Sequence, residues 1–218
     1  MGIEPEHPEI PYPLPPERVP PRRTDPVLVP IVSVGTGGDP WQQLGSQRRI
    51  LVSGPLEHES ATALSARLMA LDGESSRPIE LVINSTGGPL AEILPVLDVL
   101  DLMRAPTNTT CIGSVAGTAT AVVACGSGTR RAAPNATISL RLADRHVLEG
   151  SHDEILRSAE QFEALRDRLL ARLATATGLD RERLSAEIEH GRFMSANEAR
   201  DIGIVDEVQT RPTRAIQG

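Results

Sequence analysis

The sequence predicts an α/β protein in which a mostly parallel sheet is covered by crossover helices. Short apolar segments typical of buried strands alternate along the chain with longer segments of helical periodicity. Only 2% of the residues are aromatic, whereas 39% are hydrophobic, so the core has to be built mainly from Leu, Ile, Val and Ala. At 218 residues the chain is long enough to bury one such core.

The composition of the chain changes near residue 26. Residues 1–26 contain nine prolines and few apolar residues, so they cannot bury enough surface to offset the entropy of ordering them. We therefore expect a proline-rich disordered tail over 1–26, one folded domain over 27–210, and a short C-terminal tail over 211–218.

The strands and helices of the domain follow from apolar runs and from their spacing. Strands are predicted at VLVPIV (27–32), RRILVSG (48–54), ELVIN (80–84), TTCIG (109–113) and TISLRL (137–142). Helices are predicted at 58–71, 91–103, 117–126 and 153–177. Gly73 is expected to close the first of these helices. The last helix has apolar residues at three- and four-residue spacing, and its charged remainder indicates a solvated face.

The charge and the cysteine content limit which partners, metals and cofactors the chain is expected to bind. The formal net charge is −7, which disfavours nucleic acid or an anionic membrane as the main partner, because both require clustered Lys and Arg. No stretch approaches the ~18 apolar residues of a membrane span. The two cysteines, Cys111 and Cys125, lie in apolar surroundings without metal-ligand spacing and are expected to be reduced thiols. We expect a cytoplasmic protein without a bound metal or cofactor.

The most informative segment is CIGSVAGTATAVVAC (111–125), where a short apolar stretch turns into an Ala/Val-rich helix with Gly117 at the bend. A nucleophile is expected at such a strand-to-helix turn. Together with INSTGG (83–88), APN (133–135) and RFMSANEARDIGIVDEV (192–208), this segment resembles the Clp serine peptidases, the proteolytic subunits of an ATP-dependent protease.

The resemblance extends over about residues 27–210 with nearly the same order of elements. It implies the fold of that family, which is related to the fold of the crotonases. It also implies that 27–47 form an axial N-terminal region and that 143–177 form the handle that interlocks two heptameric rings. The expected partners are other Clp subunits and an AAA+ unfoldase, which would supply the ATP hydrolysis.

The resemblance places a serine, a histidine and an acidic residue of the family at Gly117, Arg141 and Glu187. Gly117 has no side chain that could attack a carbonyl. Arg141 is a permanent cation and cannot accept a proton near neutral pH. Glu187 has no imidazole to orient, and an ion pair between Arg141 and Glu187 is one hypothesis for the vacated site. The resemblance therefore implies that no residue of this triad is catalytically functional.

The resemblance also implies an oxyanion site at Gly87, Gly88 and the amide of Thr118. Pro89 departs from the family, because a proline has no N–H to donate to a peptide substrate, and substrate is expected to bind less well. From the residues alone, the Gly-Gly-Pro sequence favours a tight strand-to-helix turn with Pro near the first helical position.

Three further departures concern the surface on which the family accepts its unfoldase. Glu80 and Val82 stand where tyrosines are common, and Leu102 replaces a frequent phenylalanine. A glutamate in an apolar docking pocket costs desolvation energy, so direct docking on this subunit alone is expected to be weak. Neighbouring subunits of another type could supply the missing aromatic residues.

These departures favour a non-catalytic subunit that assembles with active paralogues and meets the unfoldase indirectly, in mixed rings. One alternative is an active peptidase with Ser114 or Thr118 as a displaced nucleophile, and His146, His152 or His190 as its base. Another is crotonase-like acyl-CoA chemistry at Gly87, Gly88 and Thr118, which needs an oxyanion site but no serine.

Overall fold

The computed structural model describes residues 40–142 and 152–209, with side chains described from residues 43 and 153 onward in the two segments. Several predicted features lie outside the described residues, namely the tail at 1–26, the strand at 27–32, residues 143–151 of the handle region and the C-terminal tail at 211–218.

Seven helices and eight strands form the described part of the chain. The helices are α1 (Pro40–Ser46), α2 (His58–Glu74), α3 (Leu90–Leu102), α4 (Thr118–Ala124), α5 (His152–Thr177), α6 (Arg181–His190) and α7 (Ala196–Asp201). The strands are β1 (Arg49–Ser53), β2 (Ile79–Asn84), β3 (Thr107–Cys111), β4 (Ser114–Ala116), β5 (Arg130–Ala132), β6 (Thr137–Ser139), β7 (Met194–Ser195) and β8 (Glu207–Val208).

The strands form two sheets. The larger has the order β1-β2-β3-β5-β8, and every neighbouring pair in it is parallel. The smaller has the order β4-β6-β7, with β4 parallel to β6 and β6 antiparallel to β7. The predicted α/β class with a mostly parallel sheet is therefore confirmed.

Strand β2 illustrates how the sequence fixes the two sides of the larger sheet. Ile79, Leu81 and Ile83 are fully buried, whereas Glu80 and Val82 between them are half-buried. Because successive side chains of a strand point to opposite faces, the three apolar residues lie in the core and the other two lie on the outer face. Burying an aliphatic side chain of this size contributes about 1.5–3 kcal/mol.

Some predicted boundaries were wrong. Helix α2 continues through Gly73 to Glu74, and a Cβ at Gly73 would meet open space, so the glycine there serves no turn. The strand predicted at 137–142 ends at Ser139, where its pairing with β4 stops. Strands β4 and β5 were not predicted, because three residues are too few to show a period.

Among the described residues, helix α5 packs closely against the rest of the chain only near its C-terminal end. Leu169, Leu170 and Leu173 are buried, whereas Leu156 is 49% exposed and Ile155 is half-buried. Within the described residues, no helix is both long enough and apolar enough to cross a membrane.

The buried arginine Arg48 joins α1 to the far end of α2. It has φ +57°, and its side chain is only 5% exposed. Its guanidinium donates to the carbonyl oxygens of Leu71 at 2.8 Å, Ser75 at 2.9 Å and Arg77 at 2.8 Å. These bonds satisfy carbonyl groups at the C-terminal end of α2 and in the turn that leads into β2.

We predict that Arg48→Met lowers the free energy of unfolding by about 3 kcal/mol, because it leaves buried carbonyl groups without donors. Arg49→Met is the matched control, since the neighbouring arginine is exposed and should tolerate the change within ~0.5 kcal/mol. Urea unfolding of both variants at pH 7 measures the difference. Equal losses would contradict the role assigned to Arg48.

Candidate functional site

A cleft of about 510 Å³ lies over the turn that joins β4 to α4. The loop after β2 forms one wall, and the residues that follow β6 form another. Its lining includes Gly88, Gly117, Thr118, Arg141 and Phe193. The structure thus brings Gly117, Arg141 and the glycine pair into one cleft, whereas Glu187 is not among its lining residues.

Gly117 occupies a turn that has no room for a side chain. Its backbone has φ +60° and ψ −137°, a conformation that residues other than glycine rarely adopt. Its N–H donates to the carbonyl of Ser139 at 3.0 Å. A Cβ at this position would lie 2.7 Å from the carbonyl oxygen of Thr86 and 3.3 Å from that of Arg141. Gly117 itself therefore supplies no nucleophile, and backbone atoms fill the space that a side chain at this position would need.

The amides of the glycine pair are already hydrogen-bonded within the chain. The N–H of Gly88 donates to the hydroxyl oxygen of Thr118 at 2.9 Å, and that hydroxyl donates back to the carbonyl of Gly88 at 2.9 Å. The N–H of Gly87 donates to the hydroxyl oxygen of Ser85 at 3.1 Å. Thr118 is 5% exposed, so its hydroxyl is held between α4 and the loop. A carbonyl oxygen in the cleft would have to compete with Thr118 for the Gly88 donor.

The backbone around Gly87 and Gly88 also requires glycine for structural reasons. A Cβ at Gly88 would overlap the carbonyl of Leu56, and Gly87 has φ +79°. The Leu56 N–H donates to the Gly87 carbonyl at 3.0 Å. Pro89 is the N-cap of α3 and directly precedes its first residue. The segment is therefore a tight strand-to-helix turn, whatever else it does.

Glu187 pairs with Arg192 and not with Arg141. The Glu187 carboxylate lies 3.4 Å from Nε of Arg192, whose Nη1 donates to Glu198 at 2.8 Å. The predicted ion pair between Arg141 and Glu187 is wrong, because Arg192, close to Glu187 in sequence, lies nearer in space and takes its charge. No ion pair joins Arg141 to any residue that the structure describes.

Glu198 is held in its charged form at the start of α7. The backbone N–H and the hydroxyl of Ser195, followed by Arg192, lower the pKa of Glu198 to about 2. Glu198 and Ser195 form a capping box, since the Ser195 hydroxyl also accepts from the Glu198 N–H. Arg192 is thereby fixed between two carboxylates.

Glu80 and Val82 lie on the outer face of the larger sheet, and Leu102 is 84% exposed at the end of α3. Glu80 accepts a hydrogen bond from Thr110 at 2.7 Å and lies 3.9 Å from Nη1 of Arg131. Arg131 also donates from Nε to Glu207 at 2.6 Å. The charge of Glu80 is therefore compensated within the chain, and this part of the face is ionic.

Neither Ser114 nor Thr118 is hydrogen-bonded to an imidazole that the structure describes. Ser114 is half-buried, and its N–H donates to the side-chain oxygen of Asn84 at 3.1 Å. Nδ1 of His190 lies 2.6 Å from the carbonyl of Ala186, one turn earlier on the same helix. His146 lies outside the described residues, as does the side chain of His152.

Neither cysteine is placed for nucleophilic chemistry. Burial raises the pKa of the Cys111 thiol to about 12, and burial likewise raises the pKa of Cys125. Among the described residues, no group of three or more His, Cys, Asp or Glu side chains is arranged to hold a metal ion.

Sequence reasoning missed several residues of the cleft. Phe193 is 64% exposed at its edge, although its place in the FMSA segment suggested only a family motif. Ser85 and Ser139, which bond to the turns on either side, give no sequence signal beyond being polar residues at strand ends.

The fold and the cleft together define an α/β protein with a mostly parallel sheet and a cleft over a strand-to-helix turn. The family model described as Clp protease matches residues 35–212. The chain is 31% identical over 172 residues to the ATP-dependent Clp protease proteolytic subunit 1 of Thermobifida fusca (strain YX), an alignment that covers 78% of each chain. It is 28% identical over 172 residues to proteolytic subunit 2 of Corynebacterium jeikeium (strain K411), covering 78% of this chain and 82% of the relative. The chain therefore belongs to the Clp protease family.

We predict that Gly117→Ala costs at least ~1 kcal/mol more in unfolding free energy than Gly54→Ala. Both glycines have positive φ, so both substitutions strain the backbone. A Cβ at Gly54 meets nothing within 4 Å, whereas a Cβ at Gly117 meets the Thr86 carbonyl. Urea unfolding of the two variants measures the difference. Equal costs would show that the turn can open to accept a side chain.

Proposed function

We propose that this chain is a non-catalytic subunit of a Clp-type ATP-dependent protease, which assembles with catalytically active subunits. The observation that supports this most directly is Gly117 at the strand-to-helix turn, with the carbonyl of Thr86 2.7 Å from where a side chain would begin. Serine-type acyl transfer starts with attack by that side chain.

Serine-type acyl transfer also needs a general base and an oxyanion site, and other residues of this chain disfavour both. A general base must accept a proton, and the guanidinium of Arg141 is charged at all relevant pH values. An oxyanion site needs free donors, and the Gly88 N–H is bonded to Thr118 at 2.9 Å. Restoring a serine alone would therefore not restore the chemistry.

A structural contribution to a larger assembly is supported by the apolar side chains of α5. Leu156 is 49% exposed, and Ile155 and Leu165 are half-buried, although the opposite end of the same helix is well covered. Apolar groups clustered on one helix are favourable sites for contact with another subunit. We propose that the handle region, 143–177, contacts another subunit, within a domain that extends over 27–210.

The ionic surface around Glu80 supports indirect contact with an unfoldase. Glu80, Arg131 and Glu207 compensate one another on the outer face of the sheet, so an apolar loop would have to desolvate this network. Active subunits in mixed rings would offer the apolar pockets instead. Both relatives are named as proteolytic subunits of an ATP-dependent protease, which supports a complex in which a partner uses the ATP. We propose that this complex is cytoplasmic.

Co-purification tests this proposal. The tagged chain is purified from its own cell extract, and the eluate is analysed by native mass spectrometry and by hydrolysis of a fluorogenic peptide. We expect mixed assemblies with an active Clp subunit, and peptidase activity that is unchanged by Ser114→Ala or Thr118→Ala in this chain. Ser76→Ala, at an exposed turn, is the control for handling losses.

A homo-oligomer that cleaves the peptide, and loses this activity with Ser114→Ala or Thr118→Ala but not with Ser76→Ala, would contradict the proposal. It would identify a peptidase with a displaced nucleophile. Binding of an acyl-CoA by the purified chain would instead support crotonase-like chemistry.

A further inference from the structure

Arg141 lines the cleft, and its guanidinium has no partner among the residues that the structure describes. Its side chain is exposed and lines the cleft. Its guanidinium makes no hydrogen bond or ion pair with any residue that the structure describes. Arg192, by contrast, lies between Glu187 and Glu198. Glu187, the carboxylate that was expected to pair with Arg141, is thus already paired with Arg192.

The position of Arg141 is nevertheless fixed. Gly191 ends α6 with φ +57°, and a Cβ there would lie 3.0–3.2 Å from Cβ, Cγ and Cδ of Arg141. The aliphatic part of Arg141 therefore packs against the backbone of Gly191. The Arg141 N–H donates to the Ser139 hydroxyl oxygen at 3.3 Å, and that hydroxyl donates to the Gly191 carbonyl at 3.4 Å. Holding the stem in this way lowers the entropy cost of using the guanidinium to bind a ligand.

On the opposite wall of the cleft, formed by Gly87, Gly88 and Pro89, few main-chain N–H and C=O groups are free to bind a ligand. The N–H groups of Gly87 and Gly88 donate to hydroxyl groups of the chain, the Gly88 carbonyl accepts from Thr118, and Pro89 has no N–H. A peptide could not add itself to this wall as a hydrogen-bonded strand. Recognition would depend on side chains, which are the guanidinium of Arg141 and the apolar surfaces of Leu142 and Phe193.

We propose that the cleft binds a peptide through a single carboxylate, held by the guanidinium of Arg141, with an apolar residue against Phe193. An arginine fork matches a carboxylate in bidentate geometry. Glu57 also lines the cleft and would repel a second negative charge, so a polyanion is disfavoured. This inference rests on the proposed function, because an active site would cut a peptide bound there.

The carboxylate could be the C-terminus of a peptide or an acidic side chain, and three probes separate these sources. They are acetyl-Ala-Leu-Leu with a free carboxylate, the same peptide as its C-terminal amide, and acetyl-Glu-Leu-Leu-amide. Each is titrated into the full chain at pH 7 and low salt by isothermal titration calorimetry. Mass spectrometry of the probe after each titration reports whether it was cut.

We expect at least one carboxylate probe to bind, and the plain amide to bind much more weakly. Arg141→Gln should weaken binding on the order of 10- to 100-fold, the usual loss for a charge-assisted contact. Arg183→Gln is the matched control, because Arg183 is exposed on α6 and does not line the cleft. Circular dichroism of both variants verifies that they are folded, as expected for exposed positions.

If only the free-acid probe binds, the ligand is a peptide C-terminus. If the glutamate probe binds, the ligand is an acidic side chain. Intact probes that do not bind, or binding that Arg141→Gln leaves unchanged, would overturn this inference and leave the proposed function standing. A probe that is cut by the chain would overturn the proposed function itself.

Discussion

The close approach of the loop at residues 86–88 to the turn at Gly117 is the contact on which the rest of the cleft depends. A Cβ at Gly117 would meet the carbonyl of Thr86 at 2.7 Å, and a Cβ at Gly87 would meet the backbone N of Thr118 at the same distance. Two backbones can pack this tightly only where both carry glycine. The absence of a side chain at Gly117 and the bonded Gly88 amide therefore belong to one packing arrangement.

The charges around the cleft follow a consistent pattern. Glu80 is compensated by Arg131, and Glu187 by Arg192, so most ionic groups near these surfaces stabilise the fold locally. Such exposed or half-exposed pairs contribute about 0–1 kcal/mol each, which is enough to orient side chains but not to define the fold. Arg141 differs, because its backbone and stem are held while its guanidinium has no partner among the described residues. That contrast makes Arg141 the residue of the cleft best suited to meet a ligand.

The sequence was informative where a feature depends on local pattern. The apolar run in ELVIN predicted β2, and the small residues after Gly117 predicted α4, because both signals lie within a single element. The bond between Thr118 and Gly88 could not be predicted, since the two residues are 30 positions apart and their contact depends on how α4 packs against the loop. The partner of Glu187 was missed for the same reason. The turn at Gly191 decides whether Arg141 or Arg192 reaches Glu187, and the residue types alone do not show this.

Labelling with a serine-reactive fluorophosphonate tests the central claim most directly, namely that the strand-to-helix turn has no working nucleophile. The purified full chain is incubated with the reagent beside a catalytically active Clp subunit, and intact mass and peptide mapping then locate any adduct. The account predicts an adduct on the active subunit and none on this chain. A single adduct on Ser114 or Thr118 that is lost when the chain is unfolded before labelling would contradict it.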